Sequence, residues 1–402
     1  MTRDPLDIFL VAGEPSGDMQ ASLVAAELRR MEPGIRLRGA AGPRMRAAGV
    51  VAEYQSDDWG SVGLVPALAR VPRLHPLMRE MALRLAKAPP NLLLLVDFGA
   101  FNVRLARRVR QAVPGVPILY YFPPGSWNPG PRDRGGLAPL VEAVATPFAY
   151  SEQLLRQDGV PAWWVGHPAL DRLGPPDDRQ AFRRQQGIEG SPVIGLLPGS
   201  RQREERRFLA PQMLGALSLL QQRLPEATFL WSVMPGVPLG VADRRAAEHE
   251  RVRVVDDSTL ILKSADLVLT AMGTATLEAA VTGCLPICAY RGNLAMWLQW
   301  RALGVGTDLY AMPNIMLRQR VFPELLQSQA SAAGLAAEAL ELWHSPARQA
   351  ELHAALGQVR AQLGVPGASR RVARMALRVA RGEKLSLEES FATDPVEAGV
   401  TS

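Results

Sequence analysis

The chain has no apolar run of about 18 residues or more, so an ordinary membrane-spanning helix is excluded. It has two cysteines in 402 residues, Cys284 and Cys288, in one short apolar stretch. That excludes a disulfide framework, and the pair reads as small buried hydrophobes in a reducing cytoplasm. Lysine is nearly missing: Lys87, Lys263 and Lys384 are all there is, so the 45 basic residues, set against 39 acidic ones for a net charge of +6, are almost wholly arginine. The five histidines, His75, His167, His249, His344 and His353, lack ligand spacing, and no metal site is expected. There is no G-x-S-x-G elbow, no Walker A lysine and no short-period repeat. The chain runs from Met1 almost at once into the strand-like Asp7-Ile8-Phe9-Leu10-Val11, so no secretory leader is expected.

What is present suits folded domains. Hydrophobic residues are 48% and charged residues 21%, which is not the composition of a disordered, collagen-like or coiled-coil chain. At roughly 150 residues per domain the length suggests two or three domains. Short apolar runs alternate with longer amphipathic stretches. Ile8–Ala12, Leu92–Val96 and Pro117–Phe122 read as strands, and Met19–Arg30 and Val103–Val113 as helices. Continuous apolar strands with helical crossovers indicate a parallel sheet covered on both faces.

The pattern pauses at a linker, Gly174-Pro175-Pro176-Asp177-Asp178, and a short helix over 179–186, then restarts. Strands are expected at Val193–Leu197, Thr228–Val233, Arg251–Asp256, Leu267–Thr270 and Leu285–Ala289, with helices at Leu209–Leu224 and from Thr274. The expectation is an α/β chain with two Rossmann-like parallel-sheet domains, 1–172 and 173–365, facing across a cleft. A C-terminal helix over 366–381 can pack back on the first domain, and an acidic tail, 382–402, is expected to be disordered.

Five segments carry candidate chemistry. Gly13-Glu14-Pro15-Ser16-Gly17-Asp18 follows the first strand; its glycines permit close backbone approach and the helix start suits an anion, while a plain turn with Ser16 or Asp18 as N-cap is the simpler reading. Asp97 ends the most apolar strand of the first half and is a candidate general base, or else the N-cap of the following helix. Leu197-Pro198-Gly199-Ser200-Arg201 is a turn whose arginine can meet a diphosphate, with Glu204 and Glu205 free to pair with Arg203, Arg206 or Arg207. In Met272-Gly273-Thr274-Ala275-Thr276-Leu277-Glu278 the helix start suits phosphate, and Glu278, one turn on, suits ribose hydroxyls. Pro313-Asn314-Ile315-Met316 reads as a loop, and the following Val321-Phe322-Pro323-Glu324-Leu325-Leu326-Gln327 as a short helix. His167, in Val165-Gly166-His167-Pro168, reads as a structural loop histidine.

In this order the motifs resemble the lipid-A-disaccharide synthase family, GT-B-type glycosyltransferases. The resemblance rests on L-V-A-G-E-P-S-G-D (Leu10–Asp18), A-A-G-P-R-M (Ala40–Met45), Val96-Asp97 with Phe101-Asn102, and V-G-H-P (Val165–Pro168). The second half adds L-L-P-G-S-R (Leu196–Arg201), G-T-A-T-L-E (Gly273–Glu278), Tyr290-Arg291, P-N-I-M and P-E-L-L-Q. It implies transfer of 2,3-diacylglucosamine from its UDP donor to 2,3-diacylglucosamine 1-phosphate (lipid X), with inversion, a β-1,6 linkage, release of UDP and no cofactor or metal.

Carried over, Asp97 is the base, Arg201, Gly273 and Thr274 hold the diphosphate, and Glu278 holds ribose. Asn314 and Glu324 lie towards the nucleotide, and Ser16 and Asp18 line the acceptor side. The sequence departs from the family pattern at Ala100, where a second aspartate is usual, at Met272, where serine is usual, and in the loop Pro124–Pro129. A GT-B enzyme with another acceptor, or an inactive lipid- or nucleotide-binding relative, are the alternatives.

A diacyl substrate implies work at the anionic inner face of the cytoplasmic membrane. Val62–Ala88, with leucines and valines interleaved with Arg70, Arg73 and Arg79, suits an interfacial surface or an ordinary amphipathic one, broken into short helices by Pro66, Pro72 and Pro76. Trp297 and Trp300 form a second apolar patch. A homodimer is compatible with these features. No nucleic-acid partner is expected, because few aromatics interleave with the arginines and no recognition motif occurs.

Overall fold

The apolar runs become strands of two parallel sheets. The computed structural model describes residues 5–57, 59, 64–124, 126, 136–176, 178–199, 204–234, 238–292 and 309–391, with the backbone alone described for 64–73 and 204–205. Residues 125 and 127–135 of the loop after Pro124, Ser200 to Arg203, Trp297, Trp300 and the side chains of Val62 to Arg73 therefore lie outside it.

The first sheet holds β1 (Asp7–Ala12), β2 (Arg36–Ala41), β3 (Val51–Gln55), β4 (Leu92–Val96), β5 (Ile118–Tyr121), β6 (Ala143–Thr146) and β7 (Ala162–Trp164), in the order β3-β2-β1-β4-β5-β6-β7. The second holds β8 (Val193–Leu197), β9 (Thr228–Ser232), β10 (Val252–Val255), β11 (Leu267–Ala271), β12 (Leu285–Tyr290) and β13 (Glu324–Leu326), in the order β10-β9-β8-β11-β12-β13. The winding reverses between β1 and β4 in one sheet and between β8 and β11 in the other. At such a point the loops leaving the strand ends diverge and open a crevice.

Every residue of Leu92–Val96 is buried because helices cover both faces. Ile8, Leu10, Leu92 and Leu94 pack with Val24 and Leu28 of the helix Pro15–Met31 and with Val372 and Met375 of the helix Ala368–Ala380. Phe9, Val11, Leu93 and Leu95 face Met81 and Leu85 of the helix Leu64–Lys87 and Leu105 and Val109 of the helix Gly99–Ala112. The chain forms two compact units. One is built from residues up to Asp171 and from Leu363 onward; the other is Arg172–Gln362.

Several expectations need correction. The prolines of Val62–Ala88 do not divide it: one helix runs from Leu64 to Lys87. Its Met78, Met81, Ala82 and Leu85 are buried and Leu74 and Leu77 pack on the same core, so burial of this face offsets the backbone bonds that proline removes. Pro313-Asn314-Ile315-Met316 lies in a helix, Met312–Leu317, started by proline in its first turn, and Glu324–Leu326 is a strand rather than a helix. Part of the acidic tail is placed: Phe391 is buried with its ring 6.4 Å from Trp163, whose indole N–H donates to the Ser386 carbonyl at 3.0 Å. Among the described residues no helix is long and apolar enough to cross a membrane.

Candidate active site

In the first unit the two loops at the switch point meet around Asp97. Asp97 and Phe98 both take left-handed backbone conformations, φ +52° and +50°, which non-glycine residues adopt only when their surroundings impose them. The constraint is visible. The Asp97 N–H donates to the Tyr121 carbonyl at 3.0 Å. Its own carbonyl accepts from the Tyr120 hydroxyl at 2.9 Å and from Asn102 Nδ2 at 2.8 Å. The turn places Phe98, not Asp97, at the N-cap of the helix Gly99–Ala112.

The Asp97 carboxylate takes one hydrogen bond on each oxygen. The Phe98 N–H donates to Oδ1 at 2.9 Å and Ser16 Oγ to Oδ2 at 3.1 Å. Burial raises the pKa of Asp97 above the ordinary aspartate value, and the Ser16 and Phe98 hydrogen bonds pull it only part of the way back.

The glycines of the first motif explain how Ser16 comes so near. A Cβ at Gly13 would lie 2.2 Å from Cδ1 of the Phe98 ring, and one at Gly17 would press on the Val96 carbonyl at 3.3 Å. Glu14, rather than Ser16 or Asp18, is the N-cap of the helix Pro15–Met31. The two carboxylate oxygens of Asp18 instead accept from the backbone N–H groups of Arg44 (2.9 Å) and Met45 (3.0 Å), so Asp18 caps the helix Pro43–Ala47 from a distant part of the chain.

In the second unit the corresponding loops follow β8 and β11. Gly199 has φ +92° and leads into Ser200 and Arg201, which lie outside the described residues. Gly273, at φ +141° a position open to glycine, is the N-cap of the helix Thr274–Thr282, and brings no side chain of its own to cap that helix start. Thr274 is exposed there, whereas Thr276 turns its hydroxyl back to the Gly273 carbonyl at 2.7 Å. Glu278, one turn on, is buried and ion-pairs through Oε1 with Arg172.

Asn314 and Glu324 come together, but around the backbone. Asn314 Nδ2 donates to Glu324 Oε1 and to the Phe322 carbonyl, both at 2.9 Å, and its Oδ1 accepts from the N–H groups of Val321 and Phe322. Glu324 Oε1 also accepts from the N–H groups of Tyr310 and Ala311, at 3.0 and 2.7 Å.

Over residues 8–378 the chain matches the family described as lipid-A-disaccharide synthetase. A lipid-A-disaccharide synthase of Anaeromyxobacter sp. (strain K) is 35% identical over 383 residues, 93% of this chain and 97% of that protein. The chain belongs to the lipid-A-disaccharide synthase family. It is a glycosyltransferase of lipid A biosynthesis.

Solved structures with little sequence likeness share its GT-B-type fold of two Rossmann-like units. The glycosyltransferase of kitacinnamycin aligns with a TM-score of 0.62 at 16% identity, over 94% of this chain and 100% of that one. A UDP-GlcNAc 2-epimerase from Neisseria meningitidis, bound to UDP-GlcNAc, gives 0.61 at 12%, over 93% and 100%.

Within this synthase fold, two arginines near the candidate site have a place that the sequence does not single out. Among the described residues Arg206 has an ion-pair partner distant in sequence. It is buried against Asp243 at 2.5 Å and donates to the Gly199 carbonyl at 2.6 Å, so it holds the end of the Pro198-Gly199 turn. Burial pushes Asp243 up, but the Trp231 N–H, the Gly240 N–H and Arg206 outweigh it and leave the carboxyl below its ordinary value. Arg172, at the end of the helix Ala169–Leu173, holds Glu278. In sequence both arginines look like any other of this arginine-rich chain. His167 is buried, with Nδ1 accepting from the Ala169 N–H at 3.1 Å, which makes it a turn-forming residue.

Proposed function

We propose that this glycosyltransferase moves 2,3-diacylglucosamine from its UDP donor to the 6-hydroxyl of 2,3-diacylglucosamine 1-phosphate, forming the β-1,6 disaccharide. The acceptor oxygen bonds to the anomeric carbon as the bond from that carbon to the diphosphate breaks. The acceptor proton passes to Asp97, and UDP leaves with the electron pair. The observation that carries this reading is the half-buried Asp97 carboxylate at the switch point, held by Ser16 and the Phe98 N–H and with its pKa raised, which makes it a stronger base than an exposed aspartate. Ser16 orients that carboxylate, and Asp18 supports the loop behind it through its helix cap.

The leaving diphosphate is assigned to Arg201 and to the helix start at Gly273 and Thr274, where free N–H groups favour an anion. Glu278 is assigned to the ribose. Asn314 and Glu324 shape the nucleotide side through backbone they fix rather than by contact. The acceptor's acyl chains place the reaction at an anionic membrane face, to which a net charge of +6 is attracted.

The test is UDP release by Asp97→Ala. With the diacylated pair, release is expected to fall by about 10² or more while UDP binding persists. Unchanged release ends the assignment of Asp97. Equal turnover with an acceptor lacking acyl chains ends the assignment of the acceptor. For the membrane, flotation with anionic vesicles is expected to exceed that with neutral ones and to decline as salt is added.

A further inference from the structure

The Arg172–Glu278 pair joins parts of the second unit that the sequence keeps far apart. Glu278 lies one turn into the helix that starts at Gly273, about 6 Å along the axis from Thr274. A glutamate reaches out through three rotatable bonds, so its helix does not by itself aim the carboxylate, and ordering it only when a ligand arrives weakens binding. Here it is ordered beforehand. The Arg172 guanidinium pairs with Glu278 Oε1, and its Nη1 donates to Thr259 Oγ1 at 2.8 Å, in the first turn of the helix Ser258–Ser264. A planar, forked cation gripped at both ends leaves the carboxylate little freedom to turn. Glu278 is 7% exposed, so water does little to compete for it.

We propose that Arg172, backed by Thr259, is a positioning residue that occupies Oε1 of Glu278 and so presents Oε2 to the ribose hydroxyls of the donor nucleotide. This rests on the reading of Glu278 as the ribose contact. It makes discrimination between ribose and a deoxygenated sugar depend on a side chain that does not touch the nucleotide.

The experiment is calorimetric binding of UDP and of 2′,3′-dideoxy-UDP to the full chain and to Arg172→Gln, Arg172→Lys, Thr259→Val and Glu278→Gln. The quantity read is the preference for UDP over the dideoxy nucleotide, which a general loss of structure would not move selectively. Glu278→Gln is expected to reduce that preference sharply. Arg172→Gln is expected to weaken UDP on the order of tenfold, the effect of one hydrogen bond to a charged group, and the dideoxy nucleotide by less than about twofold. Arg172→Lys and Thr259→Val are expected to fall between it and the native chain.

If both nucleotides weaken together in the Arg172 variants, or neither does, while Glu278→Gln still reduces the preference, the positioning role is wrong and the ribose contact stands. A preference unchanged in Glu278→Gln removes the ribose contact and the proposal with it. Should Arg172→Gln fail to fold, Arg172→Lys and Thr259→Val decide by the same ratio: a reduced preference supports the role and an unchanged one overturns it.

Discussion

Asp97 combines two costs at one residue, a left-handed backbone and a carboxylate partly withdrawn from water. Each left-handed non-glycine residue costs about 1–3 kcal/mol, met by the bonds that Tyr120, Tyr121 and Asn102 make to this turn. Because burial raises its pKa, the folded chain holds the Asp97 proton more tightly than the unfolded chain does. Stability therefore falls as pH rises from the ordinary aspartate range through the raised value, and above it the ionised carboxylate destabilises the fold. Asp97→Asn is expected to melt at a higher temperature than the native chain at pH 7 while losing transferase activity; a lower melting temperature contradicts the account. The Ser16 hydroxyl acts in the opposite direction by favouring the charged form. Ser16→Ala is expected to shift the acid limb of the kcat/KM profile to higher pH, and a limb that stays or moves down would show that the hydrogen bond has no such effect.

Elements with plain apolar patterns were legible, and those that mix charge with burial were not. β4 is five apolar residues and announces itself. β2, R-L-R-G-A-A, does not, because Arg38 looks like a surface residue and is in fact buried between Asp7 (2.9 Å) and Glu53 (3.0 Å). Arg206 and Asp243 show the same masking, two charges buried where the helix Glu204–Arg223 meets the helix Val241–Ala247. Removing one member leaves the other charged and desolvated. Asp243→Ala is expected to cost about 3 kcal/mol or more in denaturant unfolding of the second unit, and a loss below about 1 kcal/mol would mean that water reaches Arg206. Gly13→Ala tests the first unit in the same way. Its methyl would enter the Phe98 ring, so a loss of about 1–3 kcal/mol is expected, with displacement of the Asp97 turn.

The chain enters the second unit once, at Arg172, and returns to the first at Leu363. The returning helix Ala368–Ala380 is no appendage. Val372, Ala373, Met375 and Ala376 are fully buried in the core shared with β1 and β4, and the Arg371 guanidinium donates to the Val165 carbonyl at 3.0 Å. A chain ending at Gln362 would expose that core. Limited proteolysis of this truncation is expected to leave protected fragments from residues 172–362 only. Protection extending over residues 7–171 would show that the first sheet folds without its C-terminal helix.

Periodicity and motif order were enough to indicate two parallel-sheet halves, to place the most apolar strands within a residue of their ends while leaving β2, β3, β6, β7 and β13 unread, and to put Asp97 at a strand end, Gly273 at a helix start and Glu278 one turn on. Those features are local: an apolar run, a turn residue, a spacing along one chain. Pairings between distant positions, Arg172 with Glu278 or, 37 residues apart, Arg206 with Asp243, leave no mark in a chain where arginine is everywhere. The same holds for the turning of Asp18 to a helix cap and of Asn314 and Glu324 to backbone carbonyl and N–H groups. Which partner a polar side chain takes is set by what folding brings within about 3 Å of it, and only the tertiary structure holds that information.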